Sequence, residues 1–217
     1  MERTRQGVHR MFTALVVDLA VTAFAPGLAL LFASVSTSDF PTLSSFMSIG
    51  LATVVGALYL SAFMGLYAGR MERGDVAVRA MRQALGLVGV VAAIATALIL
   101  LRILGLFGAG AWLAWQATTG LDVAAAAAAG TAFVLIFRGL MADRWRPVTI
   151  LATGLGTASA LLPGVALSVL DAAADPLGAG ALFQTLIAAG WIVGAASLAM
   201  FAVVCNDAAT RLTPAKE

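Results

Sequence analysis

Long apolar runs alternate with short polar breaks along the whole chain, and that rhythm predicts its architecture. Apolar stretches cover residues 11–33, 46–67, 84–106, 123–140, 148–170 and 181–205. Each is close to the roughly 20 residues that an α-helix needs to cross a bilayer. The breaks carry almost all the charge. The longest is Gly69 to Gln83, with Arg70, Arg73, Arg79 and Arg82 set against Glu72 and Asp75. Gly74-Asp75 reads as a turn with Asp75 as an N-cap. A short surface helix, with Asp75 and Arg79 four residues apart, is expected to lead into the third span.

Composition strengthens this pattern. The chain has 217 residues, 61% hydrophobic and 11% charged, with a mean hydropathy of +0.99. A soluble domain carries about 25% charged residues. The expected fold class is all-α: a single polytopic membrane domain of six transmembrane helices. The N-terminal run resembles a signal peptide with Ala23-Phe24-Ala25 as its cleavage site. Asp18 inside the run and Pro26 after the cut argue for a retained first helix. Pro26 and Pro163 each predict a kink, because proline removes a helical donor. Gly105 to Gly120, which contains Trp112, Trp115 and Gln116, reads as an interfacial segment anchored by its tryptophans.

The sign of the breaks alternates. Basic residues cluster before the first span (Arg3, Arg5, Arg10), in the second break, in the fourth (Arg138, Arg144, Arg146), and in the tail (Arg211, Lys216). The other breaks hold Asp39, Asp122, Asp171 and Asp175, and only Arg102 departs from the rule. By the positive-inside rule, both termini are expected in the cytoplasm of a bacterial-type inner membrane. The kinks fall in spans one and five, which would not correspond in an inverted repeat of three plus three helices.

Few residues carry candidate chemistry. Asp18 lies inside the first span, where an ionisable group must be paired, protonated or wetted. It reads either as a proton or cation site or as a structural ion pair or hydrogen bond. Arg102 reads as a snorkelling cation or an anion contact. Gly190 and Gly194 form a GxxxG pair, and Gly130 closes an alanine run; both are helix-packing signals. The single cysteine, Cys205, and single histidine, His9, exclude an internal disulfide and a bis-His haem. No metal motif, phosphate loop or catalytic cluster occurs. The chain is expected to be no enzyme and to need no cofactor.

Arg10, Ala14 and Asp18 recur at four-residue intervals in the first span. This spacing is similar to the first-helix signature of the RDD membrane family, over nine residues. The family's later Gly-Lys signature is echoed only distantly at Gly69-Arg70, and its second Asp has no placed counterpart. The resemblance implies a role in transport. Read from the residues, the first expectation is a non-catalytic membrane subunit or assembly factor that packs against partner membrane proteins. The alternative is a small transporter or channel using Asp18, Arg102 or both. The expected partners are membrane lipid and other membrane proteins or further copies of the chain, with no nucleic acid.

Overall fold

A computed structural model describes residues 1–34, 40–106, 111–172 and 176–212, with side chains for 1–24, 50–100, 118–169, 172 and 179–212. Within these residues the chain is all helical. The helices are α1 (Glu2–Ser34), α2 (Phe40–Ala68), α3 (Asp75–Leu106), α4 (Ala111–Phe137), α5 (Arg146–Ala172) and α6 (Pro176–Arg211). Two 3-10 turns, Arg70–Arg73 and Asp143–Trp145, join α2 to α3 and α4 to α5. All six helices are long and apolar enough to cross a membrane. Their outward faces are apolar too: Met64, Ile150 and Ile192 are more than half exposed. Such surfaces suit a multi-pass membrane protein.

The helices outrun the apolar runs, because polar side chains continue a helix beyond the bilayer. Helix α1 begins at Glu2, nine residues before the apolar run. No separate surface helix precedes the third span, since α3 is continuous from Asp75. No ion pair joins Asp75 to Arg79 among the described residues. The expected interfacial segment is helical from Ala111, which puts Trp112 and Trp115 in the first turns of α4. Asn206 and Asp207, which follow the sixth apolar run, lie inside α6. Pro163 lies within a continuous α5.

Helix ends follow local chemistry. Gly74 (φ +81°) separates the first 3-10 turn from α3, and Gly139 (φ +86°) stops α4. Beside Gly139, the Leu140 and Met141 amides donate to the Phe137 carbonyl, a C-terminal closure that needs a left-handed residue. Pro147 occupies the first turn of α5, where a missing amide costs nothing.

The helices pack as neighbours in the order α2, α1, α6, α5, α4, α3, and contact between α2 and α3 is slight. Among the described residues this is an up-and-down ring with an open seam between α2 and α3. The main core lies at one end of it. Val8, Met11 and Leu15 of α1 meet Phe63 and Leu66 of α2, Met81 of α3, Phe133 and Phe137 of α4, Ala152 of α5, and Phe201 and Val204 of α6. The Phe133 ring stacks on Phe137 at 4.3 Å and tilts against Phe201 at 4.4 Å.

Polar stitches close the same end. The first amides of a helix lack internal partners. The Glu72 carboxylate supplies one from another element: it accepts from the Arg3 amide (3.4 Å), the Thr4 amide (3.2 Å) and the Thr4 hydroxyl (2.9 Å). The Met1 ammonium sits 3.2 Å away. The next residue treats the opposite pole of another helix. Arg73 donates to the carbonyls of Ile136 (2.8 Å) and Arg138 (3.0 Å) at the end of α4. Arg144 and Arg211 both bind Asp207, tying the α4–α5 connection to the end of α6.

Desolvation raises the Glu72 pKa, but the Thr4 hydroxyl and amide, the chain's ammonium and the Arg3 amide together outweigh it and lower it to about 2. Burial lowers Arg73 to about 10, which leaves it cationic at neutral pH. Because the folded pKa of Glu72 is depressed, its stabilisation is complete above its ordinary value of 4.5 and fades as pH falls towards about 2. Glu72→Gln should cost about 0.5–2 kcal/mol, in line with loss of an N-cap. Thermal unfolding in detergent should show a constant deficit above pH 4.5 that narrows on acidification. A deficit independent of pH would contradict the assignment.

Candidate functional site

Glycines set the spacing of α1 against α2. A Cβ on Gly7 would stand 2.5 Å from the Leu66 amide nitrogen, and one on Gly69 would stand 2.5 Å from the Thr4 hydroxyl. The two backbones therefore cross in direct contact, and the Thr4 hydroxyl, whose single proton is shared between the Glu72 carboxylate and the Gly69 carbonyl, lies 3.1 Å from the latter. The crossing also fixes an antiparallel register in which Thr4 faces Gly69 and Gly7 faces Gly65. Extending that register along α1 places the fully buried Ala14 opposite Tyr59.

Asp18 lies one turn beyond Ala14, and the bias of helical side chains closes the gap. Each Cα–Cβ bond leans towards its own helix N-terminus. In antiparallel helices Asp18 and Tyr59 therefore lean towards each other. The Tyr59 hydroxyl donates to Asp18 Oδ2 at 2.8 Å. Asp18 is the central residue of the 33-residue α1. It lies about 12 Å along the axis from Arg10, which approaches half the thickness of a hydrocarbon core about 30 Å deep. Both side chains are partly buried. Among the described residues, Tyr59 is the one hydrogen-bond partner of this carboxylate, and no cation pairs with it.

The other singled-out glycines pack helices within the chain. A Cβ on Gly194 would meet the Ser159 hydroxyl at 2.7 Å, and one on Gly130 would meet the Thr153 methyl at 2.5 Å. Ser159 donates to the Gly190 carbonyl at 2.9 Å, and Ser197 donates to the Ala152 carbonyl at 2.7 Å. Pro163 also belongs here. It offers no amide to the Ser159 carbonyl one turn back, and that carbonyl lies beside Gly190. The side chains of Arg102, Trp112 and Trp115 lie outside the described residues.

Among the described residues, no group of three His, Cys, Asp or Glu could hold a metal ion. A groove of about 590 Å³ between α4 and α5, lined by Thr119, Leu161, Gly164, Val165 and Ser168, contains no charged side chain. The chemistry within reach of Asp18 and Tyr59 is binding and release of a proton or cation. No family model, curated protein or solved structure matches the chain.

Residue reading overlooked the crossing glycines, although Gly65 and Gly69 have the same GxxxG spacing as Gly190 and Gly194. It also missed Glu72 and Arg73 as caps for distant helices. Their only sequence signal was their place in the most charged connection. Gly194→Leu should destabilise the folded chain by about 1–3 kcal/mol, as overpacking does. Thermal unfolding should show that loss with oligomeric state unchanged. A normal melting temperature would place Gly194 outside the α5–α6 contact.

Proposed function

We propose that this protein is a small membrane transporter or channel for protons or a small cation, with Asp18 as its binding group. One observation carries the reading: a carboxylate deep in an apolar helix holds a hydroxyl partner and, among the described residues, no cation. An unpaired charge is costly in hydrocarbon, and ionisable groups that persist there commonly mark ion or proton pathways. The Tyr59 hydrogen bond engages Oδ2 alone. A carboxylate has about four lone-pair sites, so acceptor capacity remains for an ion. Tyr59 positions the carboxylate, and Asp18 exchanges the ion.

A membrane subunit or assembly factor is the second reading. Gly130, Gly190 and Gly194 have partners inside the chain and no longer recommend it. Its remaining support is the slight α2–α3 contact together with exposed Leu51, Val54, Leu85 and Val90 on those helices. Liposomes separate the two readings. The purified chain alone should carry a pH-gradient-driven flux that Asp18→Asn abolishes and Tyr59→Phe reduces. A stable, well-folded Asp18→Asn protein with full flux would overturn the transport reading. Flux that appears only with a co-purified polypeptide would favour the subunit.

We further infer that the arginine-rich end faces the cytoplasm of a bacterial-type inner membrane, with both termini inside. The support is the skew of arginines towards the connections on that side. A fluorescent-protein fusion after Glu217 should therefore fluoresce, and an alkaline phosphatase fusion there should be inactive. The opposite pattern would reverse the orientation.

A further inference from the structure

The arginine-rich end holds more positive charge than its own carboxylates take up. Glu2 pairs with Arg5, Asp143 pairs with Arg146, and Asp207 takes both Arg144 and Arg211. Glu72 is occupied by the start of α1. Arg73 binds backbone carbonyls, and Arg70 lies 3.9 Å over the Tyr67 ring while donating to the Tyr67 carbonyl. Arg3, Arg10, Arg79, Arg82 and Arg138 remain. All five are exposed, and none meets a carboxylate among the described residues.

Their positions suit one kind of partner. Arg10 immediately precedes Met11 at the start of an apolar run, Arg82 lies two residues before Ala84, and Arg138 directly follows Phe137. These guanidiniums sit where the apolar stretches end, and the ends of a membrane-spanning helix are where it meets lipid headgroups. Arg79 and Arg82 form the densest pair. They are three residues apart on α3, a spacing that brings side chains together on one helix face. The opposite face of that turn carries the buried Ala77, Ala80, Met81 and Ala84. The pair therefore points away from the core. Beyond it, Leu85, Val90 and Leu100 present apolar surface along α3, and α2 covers little of that helix.

We propose that this rim binds anionic phospholipid, with Arg79 and Arg82 gripping the headgroup phosphate and the exposed side of α3 receiving the acyl chains. A guanidinium fork matches two phosphate oxygens in a way that a lysine ammonium does not. Nucleic acid fits less well, since the free arginines follow the helix perimeter instead of forming a raised surface. The proposal stands independently of the role of Asp18.

Native mass spectrometry of the full chain tests it, with dioleoylphosphatidylglycerol or dioleoylphosphatidylcholine added to the detergent-solubilised protein. The wild type should retain the anionic lipid in preference to the zwitterionic one. Arg79→Gln with Arg82→Gln should lower that retention by about fivefold per arginine. Arg144→Gln with Arg146→Gln removes arginines that already have carboxylate partners, and should leave it unchanged. Circular dichroism verifies the folding of each variant. If the Gln pair fails to fold, Arg79→Lys with Arg82→Lys keeps the charge and should show weaker but preserved selectivity. Equal retention of both lipids by the wild type would overturn the proposal. So would equal losses in the two Gln variants, or displacement of the lipid by millimolar inorganic phosphate.

Discussion

Two adjacent side chains with opposite charges hold opposite helix poles. Glu72 meets unpaired amides at the start of α1, and Arg73 meets unpaired carbonyls at the end of α4. A helix carries partial positive charge at its beginning and partial negative charge at its end. A Glu-Arg dipeptide in the α2–α3 connection is therefore matched in sign to both neighbours. The connection does more than link consecutive spans. It fastens the first helix to the second and the second pair of helices to the first. The Glu72 cap also draws α1 out to Glu2, well beyond its apolar run.

The shape of the molecule follows from that fastening. Close to it, aromatic and aliphatic side chains from all six helices share one core. Backbone contact at Gly7, Gly65 and Gly69 brings α1 and α2 together, and the resulting register sets Tyr59 and Asp18 within one hydrogen bond. The Tyr59 hydroxyl gives that carboxylate its partner within the helix pair. The open seam between α2 and α3 lies on the far side of α2 from α1, so the α1–α2 contact that holds the carboxylate is not part of it.

The apolar runs made the six helices legible, because bilayer thickness constrains span length strongly and helix propensity hardly at all. Helix ends were harder to read, since residues such as Glu2 and Asp207 are helical for reasons of capping and packing. Asp18 stood out because hydrocarbon makes a charge expensive wherever it occurs. Its link to Tyr59 depends on which helices adjoin and in what register, and no local pattern encodes that. The same limit applies to the glycines. GxxxG marks a close approach but leaves the neighbour unspecified, and Gly190 and Gly194 proved to face Ser159 of their own chain.

The Glu72–Arg73 connection holds the ring together at its arginine-rich end. The most direct test is an electron-spin distance measurement between labels at Gln6 on α1 and Gln83 on α3, both exposed. The buried Cys205 would first be replaced by serine. In lipid nanodiscs the otherwise native chain should give one narrow distance distribution, and Arg73→Gln should broaden it. An equally narrow distribution in the variant would show that the core alone holds this end, and would contradict the claim.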